Sequence, residues 1–208
     1  MDDYILFDVG ANWGNSSLEA TKNNLNFKCW TFEPTPELVI HLKNQSSNFS
    51  TRYTVVDCAL SDFDGLATFN LAKHSDWGCS SLNTFSADLK QTWPERTDFY
   101  SEESIVVEVK RFDTWYREQG LTLSKIDYFH CDAQGSDLKI LKGMGDYINL
   151  IVEGVIECAS STDVKLYTEN HTLEESIQFL NKKGFKVKDI LSNDIYDNEF
   201  NLYFEKLK

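Results

Sequence analysis

"YILFDVGANWGNSS", residues 4–17, holds a strand, a turn and the start of a helix in one short stretch. Residues 4–10 form an apolar run, broken only by Asp8, of the kind that makes a fully buried strand. Gly10 and Gly14 then allow close backbone approach or unusual dihedral angles. Ser16 and Glu19 have the spacing of a capping box, which predicts a helix running to about Leu25. A strand end thus presents a carboxylate beside bare backbone and the free N–H groups of a helix start. Such N–H groups suit a carboxylate or a phosphate, whereas Asp8 suits a cationic group.

Working outward, the same strand–helix alternation recurs along the chain. "KCWTFE" (28–33) and "RYTVVDCAL" (52–60) read as the second and third strands, with Thr35 capping and Pro36 opening the helix between them. "SDFDGLATFNLA" reads as a turn and a short strand, and residues 74–104 as an irregular insertion carrying Trp77, Phe85, Trp93, Phe99 and Tyr100. "SIVVEVK" (104–110) follows as a strand, then a helix around "FDTWYREQ" that stops at Gly120. "KIDYFHCD" (125–132) is the fourth main strand, Leu138 and Leu141 mark a helix ended by Gly143, and "LIVEGVIEC" (150–158) is the fifth. Thr172 and Glu175 form a second capping box, with Leu173, Ile177 and Leu180 on one helix face and Gly184 as its stop. "FKVKDILS" and "NEFNLYFEKL" close the chain as an antiparallel hairpin.

This order predicts an α/β fold with a doubly wound sheet of seven main strands and right-handed crossovers. In such a sheet ligands bind beyond the carboxyl ends of the strands. The closing hairpin distinguishes a class I methyltransferase (Rossmann-like) sheet from that of a dinucleotide-binding dehydrogenase, which repeats βαβ units. At 208 residues the chain reads as a single domain over 1–208, large enough for a substantial core.

Composition narrows the partners. Acids outnumber bases 33 to 20, and the resulting net charge of −13 repels a phosphate backbone, so nucleic acid is not expected. No stretch approaches the length of a membrane span, and no signal peptide is recognisable, which points to a cytoplasmic protein. Met1 is followed by two acids and then at once by the first strand, as in a compact enzyme or a domain excised from a longer chain. The five cysteines are odd in number and lack CxxC spacing, so they read as reduced thiols rather than as zinc ligands or a disulfide framework.

The first turn indicates a cofactor. Asn12 stands where a GxGxxG fingerprint needs its middle glycine, which disfavours a nicotinamide dinucleotide. S-adenosylmethionine carries an ammonium, a sulfonium and a carboxylate together, and an acid beside bare backbone fits it. Glu33 ends the second strand, where an acid can accept hydrogen bonds from both ribose hydroxyls. Asp57 and Ala59 lie at the end of the third strand, beside the position expected for adenine. Asp57 equally suits an exposed structural acid.

Four ordered segments resemble the FkbM family of S-adenosylmethionine-dependent methyltransferases. They are "FDVGANWGNSS", "TFEP", "VDCALSDFDGLATF" and "RFDTWYREQGLTLSKIDYFHCDAQGSDLKILKGM", the last matching a signature that usually reads close to "KIDVEGAELEVLKG". The resemblance implies a class I methyltransferase with S-adenosylmethionine held by Asp8, Gly10, Asn12, Trp13, Gly14, Asn15, Glu33, Asp57, Ala59 and Asp132. The sequence departs from the family at His130, where lysine is common, at Gln134, where glutamate is, and at Asp137, which replaces another glutamate. The "CDAQGSD" variant is similar to methyltransferase domains fused to glycosyltransferases in large DNA viruses of algae. That similarity implies a glycan acceptor such as a terminal rhamnose, work beside or in fusion with glycosyltransferases and, for a viral protein, the host cytoplasm.

For the chemistry, an alcohol acceptor needs a base as its oxygen attacks the methyl group. Strand alternation puts His130 and Asp132 on the same side. Asp132 matches the family's aspartate and is the first candidate for base or acceptor-orienting residue; it could instead cap the helix beginning near Gly135. His130 is the second candidate, since imidazole titrates in the right range, and it equally suits a satisfied core position. Glu157, at the end of the fifth strand, is a further candidate. Asp132, Asp137 and Glu157 could also hold a divalent cation, although no metal is assigned. In the insertion, Trp77 and Trp93 could stack on a sugar while Ser80 and Ser81 supply hydrogen bonds, whereas Phe85 and Phe99 read as a satellite core under a loop. The competing functions are methylation of another small natural product, a non-catalytic cofactor- or glycan-binding module, and a nicotinamide-dependent oxidoreductase.

Overall fold

A computed structural model of the chain describes residues 3–73, 77–96, 103–164 and 166–207. Phe99 and Tyr100 of the insertion lie outside the described residues. The first half of the chain forms β1 (Tyr4–Val9), α1 (Ser17–Asn23), β2 (Phe27–Phe32), α2 (Pro36–Gln45), β3 (Tyr53–Val56), β4 (Ala59–Ser61) and β5 (Gly65–Leu71). It continues with α3 (Leu89–Thr92), β6 (Glu103–Arg111), α4 (Phe112–Glu118), β7 (Ile126–Cys131) and α5 (Asp137–Gly143). β8 (Ile151–Ala159), α6 (Leu173–Lys182), β9 (Phe185–Ser192) and β10 (Glu199–Lys206) complete it.

Seven strands form the central sheet in the order β3-β2-β1-β7-β8-β10-β9. The pairs from β3 through β8 are parallel, and β10 runs antiparallel to both β8 and β9. This is the doubly wound sheet with a closing antiparallel hairpin that the alternation of elements predicts. The sheet order reverses at β1 and β7, so their carboxyl ends flank the crevice where such folds bind ligands.

Two local expectations need correction. The predicted third strand, 52–60, is two strands in two sheets. β3 ends at Val56, and Ala59–Ser61 turns away to pair with β6, which also pairs antiparallel with β5 in a three-stranded satellite sheet. The continuous apolar run concealed this break, because each half pairs with a different strand, although only Tyr53 of β3 is buried whereas Ala59, Leu60 and Ser61 all are.

The second correction concerns helix caps. Ser16 has helical angles (φ −83, ψ −46) and makes no side-chain cap. Glu19 instead meets Lys22 and Asn23. Thr172 is extended (φ −89, ψ 161), accepts from the Glu175 N–H at 3.2 Å and donates its own N–H to the Glu175 carboxylate at 2.9 Å. An N-cap side chain reaches the N3 amide only from a non-helical backbone, which separates the two cases.

The sheet has one well-covered face. Ile5, Phe7, Val9, Phe129, Ile156, Leu202 and Phe204 pack there with Phe112 and Trp115 of α4, Ile140 and Leu141 of α5 and Leu180 of α6. On the opposite face, Leu18 of α1 packs over Leu6, Cys29 and Tyr53 in a smaller cluster. Beyond it, Tyr128, His130, Glu153, Val155 and Tyr203 line an open cleft of about 500 Å³.

Candidate active site

The turn after β1 is built by close backbone contact. Gly10 has φ +77, and a Cβ placed there would lie 2.0 Å from the Asp132 carbonyl oxygen. The Gly10 and Ala11 amides donate to Phe32 O, and the Asp132 amide donates to Val9 O at 3.0 Å. The turn, the end of β2 and the end of β7 are thereby clamped together. Asn12 also has positive φ, and its amide donates to Glu33 Oε2 at 2.9 Å while the Thr35 amide donates to Oε1 at 2.8 Å. Glu33 thus organises both the turn and the start of α2, in place of the side-chain cap expected from Thr35. Burial pushes the Glu33 carboxyl up to about 7 despite these donated bonds.

These residues enclose a crevice lined by Gly10, Asn12, Glu33, Ala59, Trp77 and Asp132, among others. Its free volume is about 50 Å³, with Trp77, Ser80 and Leu82 forming part of its wall. Trp13 lies edge-on to His41 at 4.8 Å and to Trp77 at 6.1 Å. Asp57 is exposed and lies outside the crevice lining, as does the exposed Asn15, while Ala59 is part of that lining.

Asp8 faces the neighbouring cleft. Its Oδ1 lies 2.8 Å from His130 Nδ1, and Asp8 is nearly fully buried. Burial disfavours the imidazolium, but the hydrogen bond and charge of Asp8, joined by Asp132 and Asp137, overcome it and raise His130 to about 9. An imidazolium has no lone pair with which to accept a proton, so at neutral pH His130 is a charge partner for Asp8 and not a base.

Asp132 stands at the junction, lining both the crevice and the cleft. It does not cap a helix, because α5 starts at Asp137 with Ser136 before it. Gln134, another left-handed residue (φ 52), donates its amide to Asp132 Oδ1 at 2.6 Å and to Glu157 Oε2 at 3.0 Å. The Tyr167 hydroxyl donates to Gln134 Oε1 at 2.6 Å, which orients the amide with its N–H groups toward the two carboxylates. Asn193 donates to the other Glu157 oxygen. Burial, then the charges of Asp132 and Glu199, push the Glu157 carboxyl well above its usual range. Asp137, fully enclosed, is raised to about 7, by burial first and by Asp132 second. No group of three or more acids, histidines or cysteines among the described residues is placed to hold a metal ion.

Of the insertion residues, Trp93, Phe85 and Ser81 make scaffold contacts. Trp93 is 4 % exposed and packs with Leu89, Leu166 and Tyr167, and Phe85 stacks on Tyr167. Ser81 Oγ donates to Gln134 O at 2.7 Å, and Ser80 Oγ accepts from the Ala72 amide. Trp77 and Ser80 belong to the crevice and not to the open cleft. All five cysteines are free thiols, four of them buried. Tyr167, Asn193, Tyr128 and Tyr203 are site residues that motif reading passes over. Alternation from His130 reaches Tyr128, and a parallel β9 must deliver Asn193 to the same edge of the sheet.

The crevice suits a nucleoside carrying an amino-acid tail. Asn12 Oδ1 is buried without a partner beside it, and each Glu33 oxygen keeps a lone pair for a ribose hydroxyl. The profile of the Methyltransferase FkbM domain matches residues 8–187. A methyltransferase FkbM from Methylobacillus flagellatus KT is similar at TM-score 0.60 and 15 % identity, over 98 % of this chain and 44 % of that one. The chain therefore spans less than half of that protein's length. Aeropyrum pernix fibrillarin with natively bound S-adenosyl-L-methionine matches at TM-score 0.54 and 11 % identity, over 98 % of this chain and 66 % of that one. The magnesium protoporphyrin IX methyltransferase of Synechocystis PCC 6803, also with S-adenosylmethionine bound, matches at 0.52 and 9 %, over 99 % and 71 %. At these identities the structural likeness speaks to the fold alone. No curated protein matches the chain significantly.

Proposed function

Since the chain belongs to the FkbM methyltransferase family, we propose that it takes a methyl group from S-adenosylmethionine and transfers it to a sugar hydroxyl of a glycan. A terminal deoxyhexose such as rhamnose is the acceptor we favour. The observation that carries this reading is the position of Asp132, the polar group common to the cofactor crevice and the open cleft. The bound cofactor supplies a methyl group on a positively charged sulfur, open to in-line attack. The chain's own residues position the acceptor and handle its proton.

Gln134 donates to Asp132 Oδ1 and so fixes the orientation of the carboxylate that faces the acceptor. As the acceptor oxygen gains the methyl group, its proton passes to Asp132. Burial raises the Glu157 carboxyl well above its usual range, which favours its neutral form beside that carboxylate. Asp8 lines the open cleft and not the cofactor crevice, and it is paired there with His130. The reading extends to work beside, or in fusion with, the glycosyltransferases that build the acceptor. The departures at His130 and Gln134 fit a site with its own acceptor rather than a lost activity, because both side chains are engaged with the carboxylates around them.

Incubation with S-adenosylmethionine and a panel of neutral oligosaccharides, read by mass spectrometry, should show a gain of one or more methyl groups. Asp132→Asn should lower turnover by about 10²–10⁴-fold while S-adenosylhomocysteine binding is kept. Full cofactor binding with no transfer to any sugar would reject the sugar acceptor, and transfer only to other small alcohols would favour natural-product methylation.

A further inference from the structure

We propose, resting on the sugar-acceptor reading above, that the open face of the sheet over β7, β8 and β10 is the acceptor platform, and that it selects uncharged glycans. The cleft is continuous with the reacting centre through Asp132. Its volume of about 500 Å³ falls within the range of small-molecule sites, about 300–1,000 Å³.

The side chains on this face are unlike those of a surface awaiting a helix. On the covered face the same strands present Phe129, Ile156, Leu202 and Phe204. Here they present Tyr128, His130, Glu153, Val155, Asn201 and Tyr203. Tyrosine rings offer a flat apolar surface with a polar edge, and amides beside them offer hydrogen bonds, a combination suited to the alternating C–H and O–H faces of a sugar ring. Register places His130, Val155 and Tyr203 side by side on three neighbouring strands. Tyr203 is thus two strand spacings, about 10 Å, from the histidine beside Asp8. Asn193 and Asn201 stand above it, joined by a hydrogen bond of 3.3 Å. At the far end Tyr4 stacks on Phe27 at 4.4 Å and extends the aromatic floor beyond one ring.

Charge decides the class of glycan. The only cation lining the cleft among the described residues is His130, and it is committed to Asp8. Glu153 is paired with Lys188 at 2.6 Å from outside the lining. A nucleotide sugar, a phosphosugar or a uronic acid would find no available counter-charge, and would meet the carboxylates of Asp132 and Glu153 instead.

The test measures KM for a neutral acceptor glycan beside the affinity for S-adenosylhomocysteine. Tyr203→Ala and Asn201→Ala should each raise the acceptor KM, the former by about tenfold, the equivalent of one aromatic contact. Cofactor affinity and the unfolding midpoint should stay near wild type in Asn201→Ala, which keeps the test valid if Tyr203→Ala fails to fold. Glu153→Lys should improve use of a phosphorylated acceptor relative to the neutral one. Unchanged KM in both alanine variants, with methyl transfer intact, would overturn the platform alone, as would equal use of neutral and phosphorylated glycans by the wild type. A wild type that binds cofactor yet methylates no sugar would overturn the sugar reading, and the platform with it. Protection of this face from hydrogen exchange by a bound protein segment, with KM unaffected by the substitutions, would assign the face to a protein partner instead.

Discussion

Along β1, Ile5, Phe7 and Val9 point into the helix-covered core, while Leu6 and Asp8, one residue out of phase, point to the opposite face. Along β7 the contrast repeats: Phe129 and Cys131 are buried in the core, and Tyr128 and His130 face the cleft. Period-two alternation therefore puts stability and recognition on the same strands with little shared surface. The covered face is apolar and closely packed. The open face carries paired charges, amides and tyrosines, which tolerate water and can exchange it for a ligand.

The largest effect should come from breaking the covered face. Phe129 is fully buried with its ring 6.2 Å from that of Phe112, so Phe129→Ala should cost about 3–5 kcal/mol in urea unfolding. Gly10→Ala attacks the junction between the faces. The new Cβ meets the Asp132 carbonyl in a left-handed conformation, a strain of about 1–2 kcal/mol or more. Its main readout should be weaker S-adenosylhomocysteine binding by calorimetry, since relief of the clash pushes the turn away from β7.

A pH titration sharpens the comparison further. His130 is held at about 9, above its ordinary 6.5, by Asp8, Asp132 and Asp137 against the effect of burial. Its contribution to stability should be complete below pH 6.5 and disappear as pH rises through 9. Glu33, at about 7 through burial, runs the other way in binding, because its ionised form is the better acceptor for ribose hydroxyls. Affinity for S-adenosylhomocysteine should therefore rise as pH increases through about 7, and Glu33→Gln should remove that rise. The smallest effect belongs to the open face itself. Asn201→Ala should change stability by no more than about 0.5 kcal/mol, and a loss comparable to Phe129→Ala would erase the distinction between the faces.

Much of the frame can be read directly from residue patterns. The strands appear as short apolar runs, the crossovers as amphipathic segments, and the capping box at Thr172 forms as its spacing implies. The turn after β1 is equally legible, since its glycines and Glu33 are close in sequence to the structures they serve. The break after Val56 is not, because pairing in either of two sheets leaves the same apolar signature. Trp93 illustrates a second difficulty: an aromatic residue in an irregular loop suits stacking on a ligand and packing in a small core equally well, until its neighbours are known.

The amino-acid order by itself determined the doubly wound sheet, its closing hairpin and the acid-and-glycine turn after β1, because periodicity and turn chemistry are local. Only the tertiary structure decided that Asp8 pairs with His130, residues 122 positions apart, and that Gln134 bridges Asp132 and Glu157 under the hydroxyl of Tyr167. It alone also decided which half of one sheet face stays open. These outcomes depend on strand order and register, which bring distant side chains to the same edge, and the charges found there then set one another's protonation.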